Sequence, residues 1–258
     1  MEPEVRYHML RPQQIVKRRQ DCPVAYIPIG TIEWHGTHNP TGADTLQAEG
    51  LAILCARKGG GLVFPPLYYG ESRLEALMEA NASDRDQIAS HMGLSPDNFG
   101  ADRQPFTATE QAVNYHRLLL HILAEVESLG FEVGVLVAGH YPLIDHARSA
   151  VLQWNQSGLV RRSGGMLAWA FVDYLLVRDR FPKSGDHAGG WETSRVLALH
   201  PDRVDLSLLP PVGEQLVGAG GNLPPQKANS ELGCESLDYA AELAVKEVRH
   251  RLDKRGVY

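Results

Sequence analysis

Cysteine is scarce in this chain: 258 residues hold three, Cys22, Cys55 and Cys234, and no two of them form a Cys-x-x-Cys pair. So odd and sparse a set speaks against a disulfide framework and points to a reducing, cytoplasmic compartment. An excess of positive charge is also missing. The net charge of −6 argues against nucleic acid and against an anionic membrane surface as partners. No apolar run approaches the ~18 residues of a membrane span. The charged start Met1-Glu2-Pro3-Glu4-Val5-Arg6 lacks the apolar core of a signal peptide. Two further absences bear on chemistry. Gly218-Ala219-Gly220-Gly221-Asn222 has no strand before it and no helix after it to make a phosphate cradle, and no Gly-x-Ser-x-Gly elbow marks a serine hydrolase.

What is present is an ordinary hydrophobic content of 43% and an alternation of strand-like and helix-like runs. The length suits one large α/β domain over residues 1–258 better than two small ones. Apolar strands are expected over about 24–31, 62–64, 133–138 and 166–176, and helices over about 7–20, 44–58, 108–129, 143–157, 192–199 and 235–254. Thr107 and Glu110 have the spacing of a capping box ahead of the clearest helix. Strands alternating with helices argue for a parallel sheet covered on both faces. Residues 71–106, rich in Asn, Asp, Ser, Gly and Pro with weak periodicity, read as an inserted lid or oligomer-contact segment. Residues 201–234 read mostly as loop.

Chemistry gathers after the first expected strand, in Gly30-Thr31-Ile32-Glu33-Trp34-His35-Gly36-Thr37-His38 and on to Asp44. Glu33 and His35 stand two apart and would share a side of an extended strand end. A carboxylate and an imidazole make half a site for zinc or another borderline divalent metal. Solvated loop residues with a capping aspartate are the alternative. His140 comes one glycine after the third expected strand, and Gly139 would let the backbone turn tightly there. His187, beside Asp186, lies in a later loop, and Glu192 stands at a helix start where it could equally serve the helix dipole. Parallel strands would bring the histidines at their ends to a single edge, where open α/β sheets bind ligands.

These motifs are familiar as a set. The run from Pro28 to His38 with Gly42-Ala43-Asp44-Thr45 behind it resembles the first motif of the creatininase (creatinine amidohydrolase) family. Gly139-His140-Tyr141 resembles the second motif, and His187-Ala188-Gly189-Gly190-Trp191-Glu192-Thr193-Ser194 the third. The resemblance implies a three-layer α/β/α fold with a mostly parallel central sheet, a homohexameric assembly, and a divalent metal site that hydrolyses a C–N bond. It implies Glu33, Asp44 and His140 as ligands of one metal, and His35 with a bridging Asp44 at a second. The glutamate that completes the second site in creatininase itself corresponds to Pro142, which cannot ligate. Asp145, Glu192 or water could take its place.

The resulting expectation is a metal-dependent hydrolase. Zinc is the leading candidate and manganese or iron are the alternatives, with a small, cyclic amide or related substrate other than creatinine. Glu33, His35, Asp44 and His140 would be the metal ligands. His187, oriented by Asp186, would serve the leaving group, and Glu192 would orient a ligand or bind metal. A hydrolase that opens a cyclic ketone or lactone, such as an oxidised inositol ring, is the alternative within the enzyme class. A metal- or ligand-binding protein on the same scaffold is the alternative outside it.

Overall fold

The computed structural model describes residues 3–70, 73–157 and 164–253. Its core is a single sheet of four parallel strands, β1 Val24–Ile29, β2 Leu62–Val63, β3 Val133–Ala138 and β4 Leu167–Val172, in the order β2-β1-β3-β4. All six residues of β1 and all six of β3 are buried. That explains why these segments read as continuous apolar runs and do not alternate: a parallel strand covered on both faces has no wet side. Each fully buried Val, Leu or Ile contributes about 1.5–3 kcal/mol, so the sheet is a rigid platform.

The helices are α1 Pro12–Asp21, α2 Ala43–Gly59, α3 Arg73–Ala76, α4 Met78–Asn81, α5 Arg85–His91, α6 Ala108–Ser128, α7 Leu143–Gln156, α8 Asp173–Leu176, α9 Gly190–Leu199 and α10 Ser230–Asp253. Helices α2, α9 and α10 pack together on one side of the sheet and α6 and α7 on the other, which makes the three-layer α/β/α arrangement expected from the sequence. The capping box that opens α6 is formed: Glu110 N donates to Thr107 Oγ1 and Thr107 N donates to Glu110 Oε2. Among the described residues no helix is long and apolar enough to cross a membrane.

The register fixes where function can sit. Ile29 lies opposite Ala138, and Ala138 opposite Val172. Three strands therefore stop level, and the chain leaves them at Gly30, Gly139 and Asp173. The chain runs from β1 outward to β2 and then back across to β3, so the winding reverses between the two central strands. Such a reversal opens a crevice at the carboxyl ends of the strands.

Several expected boundaries move. The first strand ends at Ile29, and residues 30–42 form a non-strand loop. The last strand stops at Val172, where α8 begins, rather than continuing to 176. The leading helix is split into a 3-10 turn, Tyr7–Met9, and α1. The final helix starts at Ser230, five residues earlier than expected, with Asn229 Oδ1 accepting from Leu232 N at 2.8 Å. Gly233 lies inside that helix because a Cβ there would fall 2.0 Å from the Ser194 carbonyl oxygen, so the glycine marks a close helix crossing and not a loop. Its expected last residue, Lys254, and Glu71 at the start of the irregular segment lie outside the described residues. The rest of that segment folds as short helices anchored by buried Leu77, Ile88 and Ala89.

Candidate metal centre

The carboxyl edge of β1 and β3 carries a buried cluster of carboxylates and imidazoles. Asp44 sits in the first turn of α2 and is 1% exposed. Its two oxygens face different neighbours. Oδ1 lies 3.1 Å from His35 Nε2, and Oδ2 lies 3.1 Å from His140 Nδ1. His140 Nδ1 is also 3.1 Å from Glu33 Oε2, while His35 Nε2 is 3.5 Å from Glu192 Oε2. One carboxylate thus stands between two sets of donors, Glu33 with His140 and His35 with Glu192.

Gly139 makes this meeting possible. A Cβ at that position would lie 1.9 Å from the Asp44 carbonyl oxygen, so only glycine lets the end of β3 touch the start of α2. The reason differs from the expected tight turn: Gly139 has no positive φ, and the requirement is closeness, not conformational freedom.

Backbone carbonyls fix the histidine tautomers. His35 Nδ1 donates to the Glu33 carbonyl at 3.1 Å, and His187 Nε2 donates to the Trp34 carbonyl at 2.7 Å. His35 Nε2 therefore aims at carboxylate oxygens, and His187 Nδ1 lies 3.8 Å from Glu33 Oε2. This is the arrangement in which an outer hydrogen bond orients an imidazole toward a metal. The rings of His35 and His187 stand 4.4 Å apart.

The electrostatics ask for a cation. Burial alone would lower the pKa of His35, yet Asp44, Glu192 and Glu33 raise it to about 10. His140 is likewise held well above its ordinary value, against its burial, by Asp44 and Glu33. Burial opposes ionisation of Asp44, and the two histidines more than reverse it, leaving the pKa below the usual carboxylate range. Burial pushes Glu192 up to about 8. Glu33 Oε2 and Asp44 Oδ2 are buried and share one imidazole nitrogen, His140 Nδ1, at 3.1 Å, a sparse set of partners for two carboxylates unless a cation sits against them. The donor set is nitrogen and oxygen with no thiolate, which suits zinc, manganese or iron(II) in geometry and softness. The residues fit a divalent metal.

The third expected motif is built differently. Asp186 lies against the first turn of α9, its oxygens accepting from Trp191 N at 2.7 Å and Glu192 N at 3.1 Å. Burial still pushes it up to about 6 against those donors. The expected Asp186–His187 pairing does not form; the Trp34 carbonyl orients His187 instead, because the helix amides take the carboxylate. Burial, with the nearby His35, lowers the pKa of His187. The Gly218–Asn222 stretch supports this loop: His187 and Gly220 exchange backbone hydrogen bonds of 2.9 and 2.8 Å. Ala188 adopts φ +51°, and its N–H donates to Glu192 Oε2 at 2.8 Å. His38 lies 3.1 Å from the Ala188 carbonyl, so it supports this peptide and does not join the cluster.

Sequence reasoning missed Glu79. It is 1% exposed, accepts from Trp34 N at 3.1 Å through Oε2, and pairs through Oε1 with Arg73 Nη1 at 2.6 Å. Glu79 and His187 thus grip the two ends of the Trp34 residue, while Met78 N donates to Glu33 Oε1 at 2.8 Å. A lone glutamate in a weakly periodic segment gave no pattern to find it by.

A cavity of about 300 Å³ opens beside the cluster, lined in part by Glu192, His187, Gln47, Tyr141, Tyr174 and Arg178. The family model described as creatinine amidohydrolase matches residues 8–247. The chain belongs to the creatininase family. Among characterised relatives, creatinine amidohydrolase of Pseudomonas putida is 27% identical over 197 residues, covering 72% of this chain and 67% of the relative. The 3-dehydro-scyllo-inosose hydrolase of Thermotoga maritima is 25% identical over 208 residues, covering 79% of this chain but only 54% of that longer protein. A solved creatininase superposes with a TM-score of 0.70 at 21% identity, covering 96% of this chain and 98% of the other. A manganese form of creatininase gives 0.68 at 21% identity, covering 96% and 99%. Pro142, the position where the sequence resemblance implies a glutamate in creatininase, here leads into α7. Asp145 offers no substitute ligand, since its side chain is 84% exposed. Glu192, facing His35 and Asp44, stands in a ligand group.

Proposed function

We propose that this chain is a metal-dependent hydrolase that attacks the carbonyl of a small amide or related C–N substrate at a two-cation site. The observation that carries this reading is the bridging position of Asp44, with one oxygen toward His140 and Glu33 and the other toward His35 and Glu192. Glu33, Asp44 and His140 would hold one cation. His35, Asp44 and Glu192 would hold the second, Glu192 replacing the carboxylate lost at Pro142. A divalent metal supplies Lewis acidity, polarising a carbonyl and lowering the pKa of water toward ~7. Zinc or manganese is favoured by the donor set and by creatininase structures described as zinc–zinc and manganese forms.

The protein's own groups do the rest. Asp44, its pKa held down by the two imidazoles beside it, stays ionised, and Glu33 faces His140 from the other side. His187, with its Nε2 proton committed to the Trp34 carbonyl, presents Nδ1 toward the cluster and its pKa is lowered, so it can take a proton at Nδ1 and return it to a leaving nitrogen. Such transfer typically contributes about 10²–10⁴-fold. Asp186 acts through position, holding the start of α9 and with it Glu192. The segment over 73–106 closes this side of the site through Met78 and Glu79.

A second reading, opening of a cyclic ketone, is favoured by the relative named as an inosose hydrolase at nearly the same identity and by the loss of the motif glutamate at Pro142. A panel of small cyclic amides and of oxidised inositols, assayed with zinc- and with manganese-loaded protein, separates the two. Hydrolysis of amides only supports the first reading, ring ketones only the second. We also propose a cytoplasmic homo-oligomer, a hexamer by family resemblance, which light scattering of the purified protein tests.

A further inference from the structure

The wall of the cavity beside the cluster holds donors that the protein itself leaves unused, two of them, Gln47 Nε2 and the Tyr174 hydroxyl, lying just behind its surface and reachable by a turn of the amide or hydroxyl. Gln47 lies three residues after Asp44 on α2, on the same face. It is 6% exposed, and its Nε2 is buried without a hydrogen-bond partner. Tyr174, at the turn after β4, is also 6% exposed with an unpartnered hydroxyl. Arg178 stands at the open side of the same cavity with its guanidinium 5.2 Å over the Tyr174 ring, and no carboxylate of the described residues pairs with it. The acidic groups that share the cavity are already engaged. Asp173 pairs with buried Arg195 and accepts from Trp191 Nε1 at 3.3 Å, Asp186 caps α9, and Glu192 belongs to the cation cluster. Leaving buried donors unsatisfied is costly, and a guanidinium poised over a ring at a cavity mouth is a preformed fork for a carboxylate.

We propose that the substrate carries a carboxylate remote from the bond that is cleaved, held by Arg178 with Gln47 and Tyr174 as further donors. The inference rests on the hydrolase reading and narrows its substrate class to small anionic amides. It disfavours neutral ring ketones. The cavity volume of about 300 Å³ suits a compact molecule, and His187 and Arg178 line the same space, so one molecule can meet both.

The test uses matched pairs on metal-loaded protein: 5-oxoproline, dihydroorotate and N-formylglycine, each against its carboxamide. Hydrolysis is measured by product formation, and binding by calorimetry whether or not turnover occurs. The expected result is that at least one acid is favoured over its carboxamide by about tenfold or more, as a charge-assisted pair implies. That ratio should shrink toward one in Arg178→Gln and fall partway in Tyr174→Phe, which keeps the ring beneath the arginine. If carboxamides are handled as well as acids, or the preference survives Arg178→Gln, the inference is overturned while the hydrolase stands. Binding of no acid more tightly than its carboxamide overturns it equally. Acid-selective binding that depends on Arg178 but never leads to hydrolysis would count against the hydrolase reading instead.

Discussion

The two halves of the site are built on different foundations. Glu33, Asp44 and His140 leave strands or begin a helix at the level edge of β1 and β3, where every strand residue is buried. Asp186, His187 and Glu192 stand on a loop and the first turn of α9. That loop is held by hydrogen bonds to helix amides, to Gly220 and to the Trp34 carbonyl, and by one alanine at φ +51°. The sheet-edge half owes its geometry to packing and close backbone approach. The loop half owes its geometry to a chain of polar contacts. The difference teaches where precision is rigid and where it can be adjusted: packing fixes the sheet-edge groups, whereas the loop half, Glu192 included, can be retuned through its polar contacts.

The largest effect should come from the sheet-edge residue that faces both candidate cation positions. Asp44→Asn is expected to remove both cations and lower turnover by about 10³-fold or more, as the loss of several kcal/mol of charge stabilisation implies. Metal analysis of the folded variant checks it. Gly139→Ala comes next and breaks only the sheet-edge half. A methyl group 1.9 Å from the Asp44 carbonyl must push β3 and α2 apart, costing about 3 kcal/mol or more, with His140 drawn off the cluster. Urea unfolding and metal content together read that outcome.

Glu79→Gln sharpens the comparison from the loop side. It leaves every proposed ligand in place but weakens the grip on Trp34 and hence on His187. An outer-contact change of this kind typically costs about 10–100-fold in metal affinity or activity. A loss of kcat with unchanged stoichiometry is the expected result.

The most gradual effect is a pH dependence. Burial lowers the pKa of His38 to about 4 in the folded chain, against an ordinary 6.5. The unfolded chain thus binds a proton that the folded chain refuses. The stability that neutral His38 contributes is complete above pH 6.5 and is lost as the pH falls toward 4, at up to about 1.4 kcal/mol per pH unit. His38→Gln in the metal-free protein should flatten that slope of the urea midpoint between pH 6.5 and 4.

The sequence made the sheet-edge half legible and left much of the other half obscure, for physical reasons. Continuous apolar runs such as 24–29 and 133–138 allow one reading, and strands that run parallel must deliver the residues beyond their carboxyl ends to one edge. Glu33, Asp44 and His140 meet there. By contrast, a carboxylate at a helix start is ambiguous between capping and chemistry. Asp186 and Glu192 stand side by side at the start of α9, yet the first caps and the second faces His35. The role of Trp34 as the orienter of His187 resides in a main-chain carbonyl, which no side-chain pattern reveals. Glu79 becomes visible only when short helices fold a weakly patterned segment back onto the first motif.

The central claim is that Asp44 bridges two cations and that Glu192 supplies the carboxylate Pro142 cannot. Its most direct test is elemental mass spectrometry of the metal content per chain, on protein purified without added metal and then titrated, alongside Glu192→Gln. The account predicts two equivalents in the wild-type chain and one in the variant. No uptake by the wild-type chain, or two equivalents retained by Glu192→Gln, would contradict it.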